Sequence, residues 1–442
     1  MPLFHAALYD RSIPVASYWL EAGGPVLPHP PLEGEHVTDV AIIGGGYCGL
    51  SAAYHLARTG IQAVVLEAGP IGWGASGRNG GFCCVGATWL GPSELAAQYG
   101  EDEMLAFYRA QVAAVHLVEH LAGEEQIDLQ RQGDGIWAFA HKPSRLKELK
   151  AHAAVLNRVG VEARVVSAEA FEREAFACTQ QFGGQHEAVG FGLNAMTYCQ
   201  GLARAAHKRG AILCAGSQVM AWARESASHR LTTNSGSLLA KRVIVAANGW
   251  LPEELVPDLR GRVLPILSNI ITTRPLTNDE LTRQKWNTET PASNTRGLLA
   301  YLRLLPDKRL LFGGRGDTTG KPSGADAMRR SLTHRMGQLF PAFKDVEVTH
   351  SWRGFIAATT RLTPAIGELP DDPSVSYAFG CHGNGVAFMT WAGRELARRI
   401  AGSAEELPAP LRGLPPRFPW PSLRRWQLRA LLARAYFEDA YW

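Results

Sequence analysis

The chain has 442 residues, 46% of them hydrophobic and 19% charged, with a formal net charge of +4. That length supports one large or two intimately joined domains around a substantial core, and the composition is that of a soluble globular enzyme. So small a charge gives no argument for nucleic acid, no nucleic-acid-binding motif is present, and no run of about eighteen apolar residues exists to span a membrane.

Residues 1–36 carry Pro14, Pro25, Pro28, Pro30 and Pro31 around Tyr18 and Trp19, which predicts an extended arm with a short helical turn lying on the body. No secretion signal is read there. Val40, Ile42 and Ile43 then form a short apolar run suited to a buried parallel strand, and it stops at consecutive glycines. Gly44, Gly46 and Gly49 fall at G-x-G-x-x-G spacing. Leu50, Ala53, Tyr54 and Ala57 recur at helical intervals until Gly60 closes the helix, and a second strand, Gln62 to Leu66, ends in Glu67. A glycine-rich loop by itself often only joins a strand to a helix. Here strand, loop, helix, strand and acid follow in order, so the unit predicts dinucleotide binding: glycines allow close backbone approach, the helix N-terminus faces the pyrophosphate, and the acid accepts ribose hydroxyls.

Gly72 to Phe82, GWGASGRNGGF, is too rich in glycine for a regular element. It is either a plain flexible loop or, lying beside the bound nucleotide, a source of polar groups in Ser76, Arg78 and Asn79. Ser93 to Leu121 predicts one or two helices. His116 and His120 lie four apart there, but no acid completes a metal set, so they are taken as helix-surface residues and no metal is expected. A strand is expected at Ile136–Ala140 and a helix at Ser144–Val159; a helix at Ala195–Arg209 and a strand at Ala211–Cys214 then restart the α/β pattern as a second nucleotide-domain segment after an insertion. Val243 to Val245 forms another buried strand that runs into Asn248 and Gly249. From Leu264 to Thr349, stretches such as Ile270–Thr273 and Leu310–Gly313 predict antiparallel strands built over the cofactor. The RGD at Arg315–Asp317 does not suit an adhesion role in a cytosolic chain. Tyr377 to Ile400 predicts a strand, the loop CHGNG and a helix. Residues 403–422 are proline-rich, and the basic helix Leu423–Trp442, with Arg424, Arg425, Arg429 and Arg434, either packs on its own body or touches a membrane surface or partner. The seven cysteines contain no C-x-x-C pair; adjacent Cys83 and Cys84 make a vicinal disulfide conceivable, but reduced thiols and a cytoplasmic location fit the set better.

The blocks DVAIIGGGYCGLSAAYHLA (39–57), GASGRNGG (74–81), RLLPDKRLLFGGR (303–315), WRGFIAATTRLTPAIG (352–367) and GCHGNGVAFMTWAGRELA (380–397) together resemble one family. This is the FAD-dependent amine and amino-acid oxidases, the group containing D-amino-acid oxidase, glycine oxidase and sarcosine oxidase, with the nearest look to the γ-glutamylputrescine oxidase branch. The resemblance spans nearly the full length but not the last forty residues or so. It implies an α/β fold with a Rossmann-like FAD/NAD(P)-binding domain drawn from 37–92, 180–263 and 350–402, and an antiparallel-sheet substrate domain from 93–179 and 264–349. Residues 1–36 stay as the arm and 403–442 as the C-terminal segment.

By the same resemblance Gly44, Gly46 and Gly49 would hold the pyrophosphate, Glu67 the ribose, and Ser76, Gly77, Arg78 and Asn79 would lie along the phosphates and flavin, with Ala68 and Gly80 also at the cofactor. Val219 would contact adenine, Gly249 would approach the cofactor, and His382, Gly383, Asn384 and Gly385 would meet the flavin's pyrimidine edge. Two departures stand out. Many members have histidine where this chain has Asn384, and sarcosine oxidases attach flavin through a cysteine in the segment matching Gly354–Thr360, where this chain has none. Non-covalent FAD is therefore expected.

Oxidising a C–N bond to an imine moves the equivalent of a hydride to the flavin, and no side chain can accept it. The residues are left with positioning the carbon and tuning the ring. Candidates near the chemistry are His382, with a loop hydrogen bond as its alternative role, and Arg78, Arg353 and Arg361, each of which could equally form a structural ion pair. Trp73, Tyr301, Arg315, Trp352 and Phe355 are expected to wall the substrate pocket, with core packing as the alternative for the aromatics. The expected substrate is a small amine or amino acid, and the acceptor is O2 or another oxidant. Two competing readings share the fingerprint: a nicotinamide-dependent dehydrogenase, and a flavin-binding partner subunit without turnover that docks through its basic C-terminal helix.

Overall fold

Strand Gly34–Ile43 lies at the middle of the first sheet, parallel to Gly236–Val245 on one side and to Ala63–Leu66 on the other. Its apolar run serves two interiors. Val40 and Ile42 face a core beneath the helices, while Ala41 and Ile43 face a second core closed by Leu231, Val256 and Leu259. A strand buried on both faces reads as continuous apolar sequence. Ile212–Cys214 extends the sheet beyond Ala63–Leu66, and Asp372–Phe379 joins it beside Val243–Val245, so distant chain segments share one parallel core. Ala365–Leu369 adds an antiparallel edge, and the hairpin Ala221–Glu225 and Ser228–Thr232 covers the start of Gly236–Val245.

The computed structural model describes residues 3–12, 15–24 and 26–441, without the side chains of 440 and 441; Pro14, Pro25 and Trp442 lie outside the described residues. Helices Tyr47–Arg58, Ala195–Lys208 and Gly385–Ile400 pack on the first face of the sheet, and Glu101–Glu124 packs against them. The segment 93–125 was expected in the substrate domain. Its long helix instead presents Phe107 to Phe388, ring centroids 6.2 Å apart, because its apolar stripe needs a partner and the helix Gly385–Ile400 supplies it.

The second sheet has eight strands in the order Val348–Ala358, Leu264–Pro275, Arg309–Arg315, Ala300–Leu304, Ala292–Asn294, Ile136–Phe139, Gly184–Glu187 and Ala163–Val166. All neighbours are antiparallel except Ala292–Asn294 with Ile136–Phe139. Pairing places Gly184–Glu187 and Val348–Ala358 in this sheet, so the boundaries expected at 180 and 350 shift into the loops beyond those strands. The strands expected from Ile270–Thr273 and Leu310–Gly313 are present, and helices Asn278–Arg283 and Pro322–Leu339, which no pattern announced, lie between and after them. The longer one buries only Leu332, Met336 and Leu339, too thin an apolar stripe to stand out in sequence.

Along each strand of the second sheet the faces alternate. Trp137, Phe139, Leu302 and Phe312 enter a core beneath the outer helices, while Ile136, Ala138 and Tyr301 turn toward the loops of the first sheet. Between the layers sits Arg303, 1% exposed. Its Nη1 donates to the carbonyl oxygens of Gly81 at 2.6 Å and Leu193 at 3.1 Å, its Nη2 donates to Gln132 Oε1 at 3.1 Å, and its guanidinium stands 5.7 Å from the Trp19 ring. Burial pushes its pKa down to about 9.

The terminal helix Arg424–Tyr441 docks on its own body. Arg424, 1% exposed, donates to Val263 O and pairs with Glu253 at 2.6 Å, and Leu428 enters the cluster of Phe4, Leu264 and Phe355. Trp426, Leu431 and Tyr436 remain exposed. All seven cysteines are free thiols. His116 and His120 are exposed beside Glu119 and Glu124, and among the described residues no group of three or more side chains could hold a metal. No helix of the described residues is long and apolar enough to cross a membrane.

Replacing Arg303 with Met leaves three buried acceptors without their donor. Arg303→Met is expected to cost about 3 to 5 kcal/mol, read by chemical denaturation against the unaltered chain, with Arg303→Lys intermediate.

Candidate active site

The glycine turn between Ile43 and Tyr47 sets one wall. At Gly49, in the following helix, a Cβ would stand 2.0 Å from Gly44 O, so only glycine lets the helix start this close to the strand. Glu67 follows the second strand, its Oε2 accepting from Gly45 N at 2.7 Å and its Oε1 from Gly69 N at 3.0 Å. Burial raises its pKa, and these backbone donors oppose that shift.

The Gly72–Phe82 loop is ordered by its own polar side chains. Ser76 Oγ accepts from Tyr47 N at 3.0 Å, the Tyr47 hydroxyl donates to Ser76 O at 2.8 Å, and Asn79 Oδ1 accepts from Gly81 N at 2.8 Å. Arg78 donates from Nε to Trp73 O at 2.7 Å, and its guanidinium lies 4.1 Å from the Trp73 ring and 5.2 Å from that of Trp250. Burial pushes its pKa down to about 10, so it remains a cation.

On the opposite side the loop after Phe379 turns through His382, which holds a φ of 52°. Its Nε2 accepts from Thr359 N at 3.2 Å, and its carbonyl accepts from Trp89 Nε1 at 2.8 Å. Burial pushes the imidazole down to about 3, so it is neutral, with Nε2 already engaged. Asn384 donates to Gly86 O at 2.8 Å, and the helix Gly385–Ile400 begins with no side-chain cap on its first N–H groups.

The second sheet closes the space. Register pairs Ser268 with Arg315 and Tyr301 with Gly313. A Cβ on Gly313 would stand 2.1 Å from Tyr301 Cζ, so its absence lets the Tyr301 ring lie across the strand and share a 2.8 Å hydrogen bond with the Ser268 hydroxyl. Burial pushes Tyr301 up to about 12 and Arg315 down to about 10, and the Arg315 guanidinium sits 4.4 Å from the Trp89 ring.

These walls enclose a cavity of about 420 Å³. Of the residues expected from sequence, its lining contains Gly44, Gly46, Glu67 and Ala68 of the first unit, and Trp73, Ser76, Arg78, Asn79 and Gly80 of the loop. Val219, Tyr301, Arg315, Phe355 and His382 to Gly385 line it too. Others stand behind the wall. Gly49 and Gly77 permit close packing instead, against Gly44 O and Gly72 O, and Gly249 meets the Phe355 side chain at ordinary contact distance. Trp352 donates from Nε1 to Arg78 O at 2.9 Å and supports the loop from outside. Arg353 is held by Asp317 at 2.9 Å and by the carbonyls of Gly320 and Lys321. Arg361 donates to Arg412 O at 2.6 Å and Pro364 O at 3.0 Å. Neither arginine reaches the cavity, so both expectations for the chemistry are corrected to structural ones.

Sequence reasoning also missed wall residues. Arg11 of the arm donates to Gln218 Oε1 at 2.7 Å and lies 5.6 Å from the Trp73 ring, a contact that no local pattern announces. Trp89, Trp250, Ser268 and Glu187 line the cavity as well; for Ser268 the signal was its place in a strand that could pair with the one carrying Arg315.

The wall suits a dinucleotide. Trp73 Nε1, Trp250 Nε1 and Arg78 Nη2 are buried donors with no partner among the described residues, and phosphate, ribose and flavin oxygens are acceptors. Glu67, Ser76, Asn79 and the turn at His382–Gly385 line the same cavity.

Comparison with known proteins agrees with this geometry. Residues 39–399 match the DAO family, described as FAD dependent oxidoreductase. The chain is 30% identical over 401 residues to gamma-glutamylputrescine oxidoreductase of Escherichia coli (strain K12), covering 89% of this chain and 91% of that one. It is 26% identical over 367 residues to glycine oxidase of Geobacillus kaustophilus (strain HTA426), covering 81% and 91%. Its fold resembles the crystal structure of L-proline dehydrogenase from P. horikoshii, with a TM-score of 0.71 at 19% identity over 85% of this chain and 96% of that one. The dinucleotide is thus FAD rather than a nicotinamide, and the chain is an enzyme rather than a silent partner subunit. A glycine turn, an ordered arginine-bearing loop and a late uncapped helix around one cavity, together with a match over most of its length, mean that this chain belongs to the DAO family of FAD-dependent oxidoreductases.

Proposed function

We propose that this enzyme oxidises the C–N bond of a primary or secondary amine or amino acid to an imine, which water hydrolyses to an aldehyde or keto acid. Electrons pass on to O2 or another acceptor. The reading is close to the activity named for gamma-glutamylputrescine oxidoreductase. The observation that carries it is the single cavity in which Tyr301, Ser268 and Arg315 face the His382–Gly385 turn.

FAD, when bound, supplies the acceptor for the hydride equivalent leaving carbon. The chain's own groups do the rest. Tyr301 stays protonated and Arg315 stays charged across the neutral range, so both act as donors that orient substrate. The free N–H groups at the start of Gly385–Ile400 favour negative charge beside them by about 0.3 to 2 kcal/mol. A substrate amine must arrive neutral to release its hydride. His382 is not its base, since Nε2 is engaged and the ring is buried; the apolar walls of Phe355, Trp89 and Met389 instead disfavour an ammonium. FAD is held without a covalent bond, because Gly354–Thr360 offers no cysteine and burial raises the thiols of Cys48, Cys84 and Cys381 that line the cavity, disfavouring a thiolate.

An anaerobic screen of amines and amino acids is expected to bleach the flavin absorbance near 450 nm, with peroxide appearing on admission of air if O2 is the acceptor; a flavin that no amine bleaches defeats the proposal. Because neutral amine is the reactive form, kcat/KM should rise as pH climbs toward the substrate's own ammonium pKa. That limb should move with the substrate and survive His382→Asn, provided the variant still binds FAD. Unfolding the holoenzyme in urea should release all of its flavin through a filter that retains protein.

A further inference from the structure

Glu187 has no part in the chemistry above, yet it lines the same cavity. It ends the strand Gly184–Glu187, lies opposite Ile136 and is 5% exposed. Its neighbours on that face follow from register. Gln185 pairs with Ala138, Ala138 with Ser293, and Ser293 with Tyr301. Directly paired residues project to the same side of a sheet, so the acid and Tyr301 share one floor. Three strand steps, about 14 Å at roughly 4.8 Å per step, and a two-residue offset of about 7 Å along the strand put them about 16 Å apart.

A buried carboxyl ordinarily meets a cation, and this one does not. Gln185 donates to it at 3.3 Å, and His152 Nδ1 lies 3.8 Å away. Burial pushes His152 down, toward its neutral form, and the Gln185 amide already contacts its Nδ1 at 2.9 Å. Cys84 and Tyr108, from the loop and the long helix packed against it, are the other titratable groups facing the acid, and burial raises both. Among the described residues no Arg or Lys pairs with Glu187. Burial pushes the carboxyl up to about 8, the mark of an acid whose counter-charge is missing.

We propose that Glu187 and Gln185 form a distal subsite that binds the second, protonated amino group of an elongated di- or polyamine while its other end is oxidised beside Tyr301. This rests on the amine-oxidation reading above and narrows its substrate class. The arriving ammonium supplies the missing partner and donates to the carboxyl oxygens. Glu187, protonated in the free site at neutral pH, loses its proton to solvent as the pair forms, so binding strengthens as pH rises, until the ammonium itself deprotonates.

The test uses the FAD-loaded full chain with a ladder of straight-chain α,ω-diamines of increasing length, spermidine, and n-alkylamines of matching length. Longer diamines and spermidine are expected to show KM values at least about tenfold below those of the alkylamines, the worth of one charge-assisted hydrogen bond. Glu187→Gln should erase that preference and leave alkylamine kinetics and Tm in place. Diamine binding should release a proton into weak buffer in the unaltered enzyme and not in the variant. Equal KM values for both series in the unaltered enzyme overturn the proposal, as does an equal loss for both series in the variant. If Glu187→Gln does not fold, the ladder and the proton release decide without it. If no amine reduces the flavin, the function itself fails; the subsite is then judged by diamine-induced change in flavin absorbance and by proton release, and absence of both overturns it.

Discussion

One buried cation stands where the second sheet meets the loops of the first. Arg303 projects from the second sheet and gathers the carbonyls of Gly81 and Leu193 with the side chain of Gln132, under the ring of Trp19. A guanidinium in such a place holds only if all its neighbours are acceptors or π-faces in fixed positions. That requirement sets the spacing between the loops of the first sheet and the floor of the second. The cavity is the space left over.

Within that space, burial decides what each group can do. The same desolvation that keeps Tyr301 protonated removes the charge from His382, so the turn it holds is architectural rather than basic. Arg78 remains cationic because burial lowers a high guanidinium pKa only to about 10; it lies over two indole rings and donates to Trp73 O. Donors therefore dominate the Tyr301 end of the cavity, whereas the Glu187 end carries the only acid facing the substrate floor among the described residues. Such polarity along one cavity suits a substrate that presents a neutral amine at one end and a protonated one at the other.

The nucleotide unit was legible in sequence because every step of it is local: strand, turn, helix, strand and acid within Val37 to Gly69. The Gly72–Phe82 loop and the Cys381–Gly385 turn were legible as loops from their neighbours, but their individual residues gained roles only through the resemblance, since glycine-rich segments carry no period of their own. Arg353 and Arg361 show where such reading stops. An arginine looks the same in sequence whether it faces substrate or caps carbonyls, and only the folded neighbours Asp317, Gly320 and Arg412 decide. The helix Pro322–Leu339 escaped for a related reason, since three buried residues make too weak a stripe.

By itself the amino-acid sequence determined the dinucleotide unit, the family, and the absence of a cysteine where a covalent flavin link would form, because each depends on residue type at short spacing. Tertiary structure alone decided that Arg11, Glu187 and Ser268 share a wall with Gly44, that Gly49 packs rather than lines, and that His382 is neutral. Those outcomes depend on sheet register and on burial, which are properties of contacts between residues far apart in the chain, and no local pattern encodes them.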